Sequence, residues 1–428
     1  MIDILSTSIL IIFCCIISFR EYSQFRTFIT PFNIIAWPYT IIVTLINCIG
    51  KYFGFFSVSM KSIFYVIICL SFFVLAKPFI KIFFSLKTNT SFNHEDNPDI
   101  HKILESYRTF FIVIAYISII AGFIHLYFCI KEFGWYNIAS YDFREAYGSG
   151  ILSHIMLLSR PSFIFIFAYY LYSKKKSLLL PLLLIFFIII IRQVKYHVIV
   201  LLLGSLYFSF SYHLIRISFK RVFYLVIITY IIFNLSYTIG FSTLGISHAY
   251  SSKVQSFLFN HFFTYLFGGP IGFSEILKDS TYPLYSLNEI FAVPINFIRI
   301  LNGRKEFVDI IINHWIPVSS IHKYFHTSNV YGLFGMLYAY IGTYLTFIYL
   351  FVWGIIIYSV FYLNITNKYR IDFKMVFAFI SGYLTLSFFG LYFNMLSFFE
   401  VTIYILLLPS IFRSIKRLSS VTYNKYKF

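Results

Sequence analysis

Long uninterrupted apolar runs are the feature that most constrains this chain. The clearest are Leu178–Ile191, Val222–Tyr237 and Tyr338–Val360. Such runs are typical of membrane-spanning segments. Charged residues make up only 12% of the chain, about half of what soluble domains carry. Because a helix satisfies its own backbone hydrogen bonds in lipid, we predict an all-α polytopic membrane protein.

The apolar segments predict about eleven transmembrane helices. The third is interrupted at Lys77-Pro78, and the ninth is long enough to tilt or to extend beyond the bilayer. The predicted spans are about 4–19, 33–50, 61–84, 109–130, 151–172, 177–191, 196–213, 222–240, 331–363, 374–393 and 398–412.

Basic residues mark one side of the predicted bundle. Most of the 34 lysines and arginines lie in alternate connections, which the positive-inside rule assigns to the cytoplasm. These connections account for the formal charge of +18, so we do not expect a nucleic-acid partner. The orientation puts four regions outside: the N-terminus, residues 131–150, the turn at 191–196 and the interval 241–330.

The first apolar run is expected to be a membrane helix and not a removable signal peptide. No basic region precedes it, and it stops at Arg20 without a small-residue cleavage site. The five cysteines lie in or beside apolar segments and form no CxxC pair, so we expect free thiols.

The interval 241–330 is the longest one between strongly apolar segments. No apolar run of about 20 residues can be drawn inside it, and it holds five histidines, five acids and a basic group around Arg299. We therefore predict three parts. Residues 1–240 form an N-terminal bundle of about eight helices, 241–330 a large outer loop, and 331–428 the last helices with a basic cytoplasmic tail.

Three features on the predicted outer side carry arginines. In the segment from Tyr141 to Gly150, Arg144 lies between Asp142 and Glu145 and precedes two glycines, which suits a loop gripping a phosphate or sugar, or else a solvated turn. Arg192 and Lys195 stand at the turn of a short helical hairpin. Their role there is either functional, because charged residues are costly between apolar helices, or they extend to the lipid headgroups.

The third feature, Arg160-Pro161, lies inside an apolar span. A buried intramembrane arginine must face a polar cavity or a partner, and Pro161 is expected to bend the helix there. The alternative to a functional role is a structural pair with a carboxylate such as Glu400, which lies in the last predicted helix.

Two histidines near the end of the long interval, His322 and His326, are spaced to share one helix face. Without an HExxH motif or a nearby acid, we predict no metal site. A histidine that hydrogen-bonds a hydroxyl or phosphate, or accepts a proton, suits this position better. Walker, GxGxxG and GxSxG motifs are also missing, which disfavours ATP-driven transport and α/β-hydrolase chemistry.

With these residues laid out, the chain resembles the O-antigen polymerases, the Wzy-type oligosaccharide repeat unit polymerases. The layout is similar over nearly the whole chain, and Thr327-Ser-Asn329-Val-Tyr331-Gly332 is similar to the family's T-N-V-Y…G return into the membrane. His322 to Gly332 fits the family's H-x9-G spacing. Arg192 to Gly204 misses R-x10-G by one residue, and Arg144 has no glycine at that distance.

The resemblance implies a GT-C-like fold in the bacterial inner membrane. It implies that polyprenyl-diphosphate-linked oligosaccharides are joined on the periplasmic face without a cofactor. The growing chain is transferred to a hydroxyl of the next lipid-linked unit, and polyprenyl diphosphate leaves. A chain-length regulator and a flippase of the same pathway are the implied protein partners.

In this reaction the protein must supply positive charge to the leaving diphosphate. We expect Arg144, Arg160, Arg192 and Lys195 to bind it, with Arg299 as a weaker candidate. His326, with Asn329 and Tyr331, is expected to hold or deprotonate the acceptor. A carboxylate base remains an equal alternative, in Asp142, Glu145 or Glu400.

Three other functions compete with polymerisation. An O-antigen ligase-like enzyme uses the same donor, but the residue after its histidine is usually a small amide or serine, whereas Thr327 follows His326. A lipid-linked oligosaccharide flippase has short, even loops, against which the long interval argues. A sugar-modifying acyltransferase needs an early histidine, and no histidine occurs here before His94.

Overall fold

The chain folds almost entirely into helices, as its apolar runs predict. In the part of the chain that the structure describes, the regular elements are fifteen α-helices, a few short 3-10 turns and one pair of two-residue strands. The computed structural model describes residues 2–84, 100–216, 218–243, 251–278, 287–304, 308, 314–320, 327–367 and 369–425.

The elements follow one another in chain order. The first ten helices are α1 (Ile2–Phe25), α2 (Pro31–Cys48), α3 (Met60–Phe84), α4 (Ile100–Phe133), α5 (Tyr141–Tyr147), α6 (Gly150–Met156), α7 (Ser159–Ser173), α8 (Leu179–Ile191), α9 (Lys195–Ser211) and α10 (Phe219–Thr243). The remaining elements are α11 (Ser252–Lys278), α12 (Ala292–Leu301), the antiparallel strands β1 (Ile316–Pro317) and β2 (Thr327–Ser328), α13 (Gly332–Thr366), α14 (Ile371–Thr385) and α15 (Leu396–Lys425).

Eight helices among the described residues are long and apolar enough to cross a bilayer, so this is a multi-pass membrane protein. Three shorter apolar helices, Lys176–Ile191, Lys195–Ser211 and Val226–Thr238, coincide with predicted spans. The count of about eleven spans therefore stays a prediction. The eight candidate spans are Asp3–Phe25, Pro31–Cys48, Met60–Ile80, Ile100–Phe133, Gly150–Ser173, Gly332–Thr366, Ile371–Phe388 and Leu396–Arg417.

The predicted interruption of the third span is wrong. Helix α3 continues through Lys77 and Pro78. A proline removes one helical hydrogen bond, and neighbouring helices in a membrane protein hold the helix in place. Helix α13 does so here, because a Cβ added at Gly354 would lie 2.5 Å from the Phe73 carbonyl oxygen.

The helix of the fifth predicted span is interrupted just before Pro161, while the bend expected there stays a prediction. The fifth span is divided into α6 and α7, with Leu157 and Leu158 between them. Pro161 has no N–H to donate to the Leu157 carbonyl. The Arg160 N–H donates to that carbonyl instead, at 3.1 Å. Helix α7 therefore begins with Ser159 and Arg160, which fixes Arg160 at its first turn.

The long ninth span is a broken helix. Gly342 inside α13 has a φ of 69° and a ψ of −172°, which are not helical angles. Glycine adopts this backbone region without a steric penalty. The Thr346 hydroxyl donates to the Gly342 carbonyl at 2.6 Å, so a side chain satisfies a carbonyl at the break.

The interval 241–330 contains the 27-residue helix α11, which hydropathy did not reveal. Its Gly269 packs closely against residues 386–390, since an added Cβ would lie 2.0 Å from the Phe388 carbonyl oxygen. Polar residues such as Asn260 and Thr264 interrupt its apolar character. Part of the predicted outer loop is therefore packed helix.

The chain forms two compact units that interleave along the sequence. Unit 1 comprises Met1–His94, Phe259–Tyr362 and Tyr383–Phe398, and unit 2 comprises Glu95–Leu258, Leu363–Gly382 and Phe399–Phe428. The predicted division into 1–240, 241–330 and 331–428 follows topology relative to a membrane and stays a prediction.

Unit 2 is built around α4, α7, α9 and α14. Phe111 of α4 stacks on Phe165 of α7 with ring centroids 4.4 Å apart. Helix α9 packs on α7 at Gly204, where an added Cβ would lie 3.3 Å from Ile164 Cδ1, and on α14 at Gly382. These contacts place the first turns of α7 and α9 side by side at one end of unit 2.

The other end of unit 2 holds paired charges. Asp372, at the start of α14, accepts hydrogen bonds from Arg370, the closest at 2.6 Å, and from Arg413 of α15 at 3.2 Å. The Tyr169 hydroxyl, near the end of α7, donates to Glu105 of α4. All of these residues belong to connections or helix ends predicted to face the cytoplasm.

Candidate anion-binding site

Arg160 is buried at the first turn of α7. Only 5% of its surface is exposed. Its Nη2 lies 2.9 Å from Nδ1 of His197, which is also buried, in the first turn of α9. A guanidinium group has donors and no acceptor, so His197 Nδ1 must accept this hydrogen bond. His197 is therefore the neutral tautomer that carries its proton on Nε2.

The predicted alternative for Arg160, a structural pair with Glu400, is wrong. Glu400 bonds instead to His154 Nδ1 at 2.7 Å and to the Tyr404 hydroxyl at 2.8 Å. Among the described residues, Arg160 has no carboxylate within ion-pair distance. Its only side-chain partner there is the neutral His197.

Arg192 approaches the same place from the turn between α8 and α9. It caps the end of α8, and the next residue, Gln193, adopts a left-handed backbone with a φ of 59°. The charges of Arg192 and Arg160 both act on the His197 ring. The Arg192 guanidinium lies against Gly148, where an added Cβ would be 2.4 Å from its Nη2. A second cation is thus held beside the Arg160–His197 pair.

Arg144 and Lys195 are the outer members of this group. The Arg144 Nε donates to the Ser140 carbonyl at 3.2 Å, and its charge acts on Lys195. The Lys195 Nζ lies 3.8 Å from the ring centroid of Tyr237 and 5.1 Å from that of Phe233. These cation–π contacts already hold the ammonium group, so Lys195 is a weaker anion ligand than the arginines.

Helix α5 is fixed in place beneath Arg144 by the buried Tyr147. Its hydroxyl lies 3.4 Å from the Gly122 carbonyl and 3.3 Å from the Ile188 carbonyl, on α4 and α8. Burial raises the pKa of the Tyr147 hydroxyl, so it remains a donor. Tyr147 thus ties the arginine-bearing segment to the helices that present Arg192.

The structure therefore brings together four of the predicted site residues. Arg160 bonds to His197 and Arg192 acts on the same ring, while Arg144 acts on Lys195 and has its carbonyl beside Gly148, against which the Arg192 guanidinium lies. We name these four predicted residues and His197 the cation cluster. Two of the predicted carboxylate bases, Asp142 and Glu145, are exposed on α5.

The other predicted residues belong to unit 1. Arg299 lies in the last turn of α12. Asn329 and Tyr331 lie between β2 and α13, and the buried Tyr331 donates its hydroxyl proton to the His314 carbonyl. His314 lines a cavity of about 390 Å³ with Glu275, Lys278 and Trp315 among its other walls. His326, like His322, lies outside the described residues.

Metal binding and disulfides were not expected from the sequence. In the described ranges no three His, Cys, Asp or Glu side chains are grouped to hold a metal ion. The pair His322 and His326 falls outside those ranges. All five cysteines are free.

Sequence reasoning missed His197 and Gly148. His197 stands two residues after Lys195, and helical spacing alone does not show which neighbouring helix it faces. Gly148 looked like a flexible loop residue, whereas it provides room for the Arg192 guanidinium. One sequence feature could have pointed to His197. It follows two cations, Arg192 and Lys195, within the six residues at the turn of an apolar hairpin.

Residues 83–420 match the model of a family described as a family of unknown function (DUF6337). The match covers well over half of the chain, so the protein belongs to this family. No curated protein and no solved structure matches the chain.

Proposed function

We propose that this member of the DUF6337 family is a membrane glycosyltransferase. In this proposal it polymerises polyprenyl-diphosphate-linked oligosaccharide repeat units on the periplasmic face of the bacterial inner membrane. The resemblance of the sequence to O-antigen polymerases supplies the reaction, and the cation cluster supplies the physical support for it.

The observation that carries the proposal is the buried Arg160 without a carboxylate partner among the described residues. Burying an uncompensated charge is costly, and ionisable residues in membrane bundles mark substrate or ion pathways. His197 accepts one hydrogen bond from Arg160 but brings no negative charge. An external anion is therefore the natural counter-charge for this guanidinium.

A diphosphate fits this requirement well. Guanidinium groups bind phosphate oxygens through paired, charge-assisted hydrogen bonds. Arg160 approaches His197 from the first turn of α7 and Arg192 from the turn after α8, so they can contact different phosphate oxygens. Positive charge held at the leaving group stabilises the charge that develops as the glycosidic bond to phosphate breaks.

The remaining assignments of the proposal follow the resemblance. Arg144 and Lys195 add a second layer of positive charge, and Arg299 remains the weaker candidate. The resemblance assigns the acceptor sugar to His326, Asn329 and Tyr331, but Tyr331 is buried and its hydroxyl is bonded to the His314 carbonyl, so His326 and Asn329 are the proposed acceptor residues. A polyprenyl chain requires a lipid-facing protein, which agrees with eight helices that are able to span a bilayer.

The test is deletion of the gene in its own host, followed by gel analysis of the surface polysaccharide. We expect the ladder of chain lengths to collapse to one capped repeat unit and to return with the parental gene. Arg160→Met and Arg192→Met are expected not to restore it. Arg108→Ala, which removes an exposed arginine at the other end of unit 2, is expected to restore it fully.

The other outcomes separate the competing functions. Loss of every capped form on deletion would favour a ligase or a flippase over a polymerase. A full ladder from Arg160→Met and Arg192→Met, at normal protein levels, would remove the cation cluster from the mechanism. Membrane fractions are probed for each variant, so that poor insertion is not mistaken for lost activity.

A further inference from the structure

A second polar group lies in unit 2, apart from the contacts of the cation cluster. His154 of α6 and Glu400 of α15 are joined by a hydrogen bond of 2.7 Å between Nδ1 and Oε1. The Tyr404 hydroxyl donates to the same Glu400 oxygen at 2.8 Å. Glu400 thus holds the exposed His154 imidazole in one orientation, and Tyr404 holds Glu400 in place.

The two partners differ in exposure. The His154 side chain is 49% exposed, whereas that of Glu400 is only 16% exposed. Because an ionised carboxylate only accepts hydrogen bonds, the His154 proton lies on Nδ1. Its Nε2 then carries the free lone pair and bonds to no other described residue. This is how a histidine is oriented to take a proton from a bound molecule.

The chain places this histidine in the same predicted span as Arg160, one short helix earlier. His154 precedes Arg160 by six residues, and only Leu157 and Leu158 lie between their helices. Six residues of helix span roughly 9 Å. Glu400 lies in the first two turns of α15, at a helix end that the predicted orientation puts on the outer side.

We propose that His154, held by Glu400, is the general base that deprotonates the acceptor hydroxyl. This inference rests on the proposed function. It assigns a proton acceptor where the sequence left His326 and three carboxylates as alternatives, and it gives Glu400 a positioning role and not that of the base. His326 then keeps only the holding of the acceptor.

The step balances without any further reactant. The acceptor hydroxyl oxygen forms a bond to the anomeric carbon of the donor sugar, and its proton moves to His154 Nε2. The bond between that carbon and the diphosphate oxygen breaks, and its electron pair leaves with the diphosphate. Arg160 and Arg192 neutralise the leaving group, while Glu400 stabilises the imidazolium that forms.

The test uses the full-length protein in lipid nanodiscs with lipid-linked repeat units isolated from the deletion host. His154→Gln retains an amide donor for Glu400 but has no basic nitrogen. We expect kcat to fall about 100-fold or more, with little change in KM. Binding of polyprenyl diphosphate, measured by competition, is expected to remain unchanged.

Two further variants separate catalysis from packing. Glu400→Gln retains an acceptor for His154 but lacks the charge, and kcat is expected to fall about tenfold with an unchanged KM. Tyr404→Phe removes the other hydrogen bond to the same oxygen and is expected to change kcat less than about threefold. Equal losses in all three variants, together with lowered thermal midpoints, would mean a structural ion pair and would overturn the proposal.

The outcomes also distinguish this inference from the proposed function. If His154→Gln polymerises at the parental rate while Arg160→Met does not, the cation cluster stands and His154 is not the base. A kcat loss in His326→Gln instead would give that role to His326. If Arg160→Met and His154→Gln both polymerise at the parental rate, polymerisation stands but neither residue has its proposed role. The proposed function itself fails if the parental protein does not join lipid-linked repeat units in the nanodiscs.

Discussion

The two ends of unit 2 use arginine in opposite ways. At one end, Arg370 and Arg413 both bond to the buried carboxylate of Asp372. At the other end, Arg160 is more deeply buried and bonds to a neutral histidine. The first arrangement neutralises charge within the protein, whereas the second leaves positive charge for something else to neutralise. In our proposal, the same residue type thus serves stability at one end and binding at the other.

The largest effect is expected for Arg160→Met, which replaces the charge with an apolar side chain of similar length. The rate of polymerisation should fall by about 100- to 1,000-fold, as when one stabilising donor is lost from a charged transition state. Thermal unfolding should shift little or upward, because the variant no longer buries an uncompensated charge. Turnover and unfolding are measured on the same nanodisc samples. If thermal stability fell as far as activity did, Arg160 would have a structural role like that of Arg370 and Arg413, and the contrast between the two ends would be lost.

Asp372→Asn should produce the reverse pattern at the other end. Loss of the carboxylate weakens its charge-assisted hydrogen bonds to Arg370 and Arg413, and unfolding should become easier by about 2 kcal/mol. The rate per folded molecule should remain unchanged. Thermal unfolding in detergent measures the loss, with Arg108→Ala, at an exposed ion pair, as the control. A large fall in turnover without a loss of thermal stability would contradict a purely stabilising role for Asp372.

His197 sharpens the comparison, since it stands where Asp372 stands at the other end. His197→Asn preserves an acceptor near Nδ1 and should retain activity within about threefold, whereas His197→Leu should raise KM about tenfold, the worth of one hydrogen bond to a charged group. KM for the lipid-linked donor is the measurement. Equal defects in Asn and Leu variants would show that the histidine is needed for its shape and not for holding Arg160.

The smallest effect is expected for Lys195→Met. Its ammonium group already lies on the Tyr237 and Phe233 rings, so turnover should fall less than about threefold, while the cation–π loss costs about 1 kcal/mol of stability. A loss as large as that of Arg160→Met would place Lys195 among the primary diphosphate ligands. Tyr237→Leu tests the same contact from its partner side.

Hydropathy predicted the helices well because burial in lipid acts on each segment separately. The ends of α2, α4 and α8 lie within a few residues of the predictions, except where α4 begins nine residues earlier. Packed features were harder to predict. Helix α11 is amphipathic and contains Gly268, Gly269 and Pro270, so its composition resembles a loop although its packing is tight.

The sequence predicted which arginines form the candidate site, but not which side chains they contact. A costly arginine in an apolar segment is visible in any sequence, and this alone identified Arg160 and Arg192. Which side chain Arg160 meets depends on the rotation of α7 and α9 about their axes, which the sequence does not give. Glu400, which the sequence offered as an alternative partner for Arg160, bonds instead to His154.

The interleaving of the two units sets the order in which the protein is completed during synthesis. Unit 1 lacks its segment Tyr383–Phe398, and unit 2 its segment Phe399–Phe428, until residues 1–382 have left the ribosome. Arg160, His197 and Arg192 are all inserted long before α15 arrives with Glu400. A nascent chain therefore contains the whole cation cluster while Glu400 and segments of both units are still missing, and a chain cut at residue 370 lacks parts of both units.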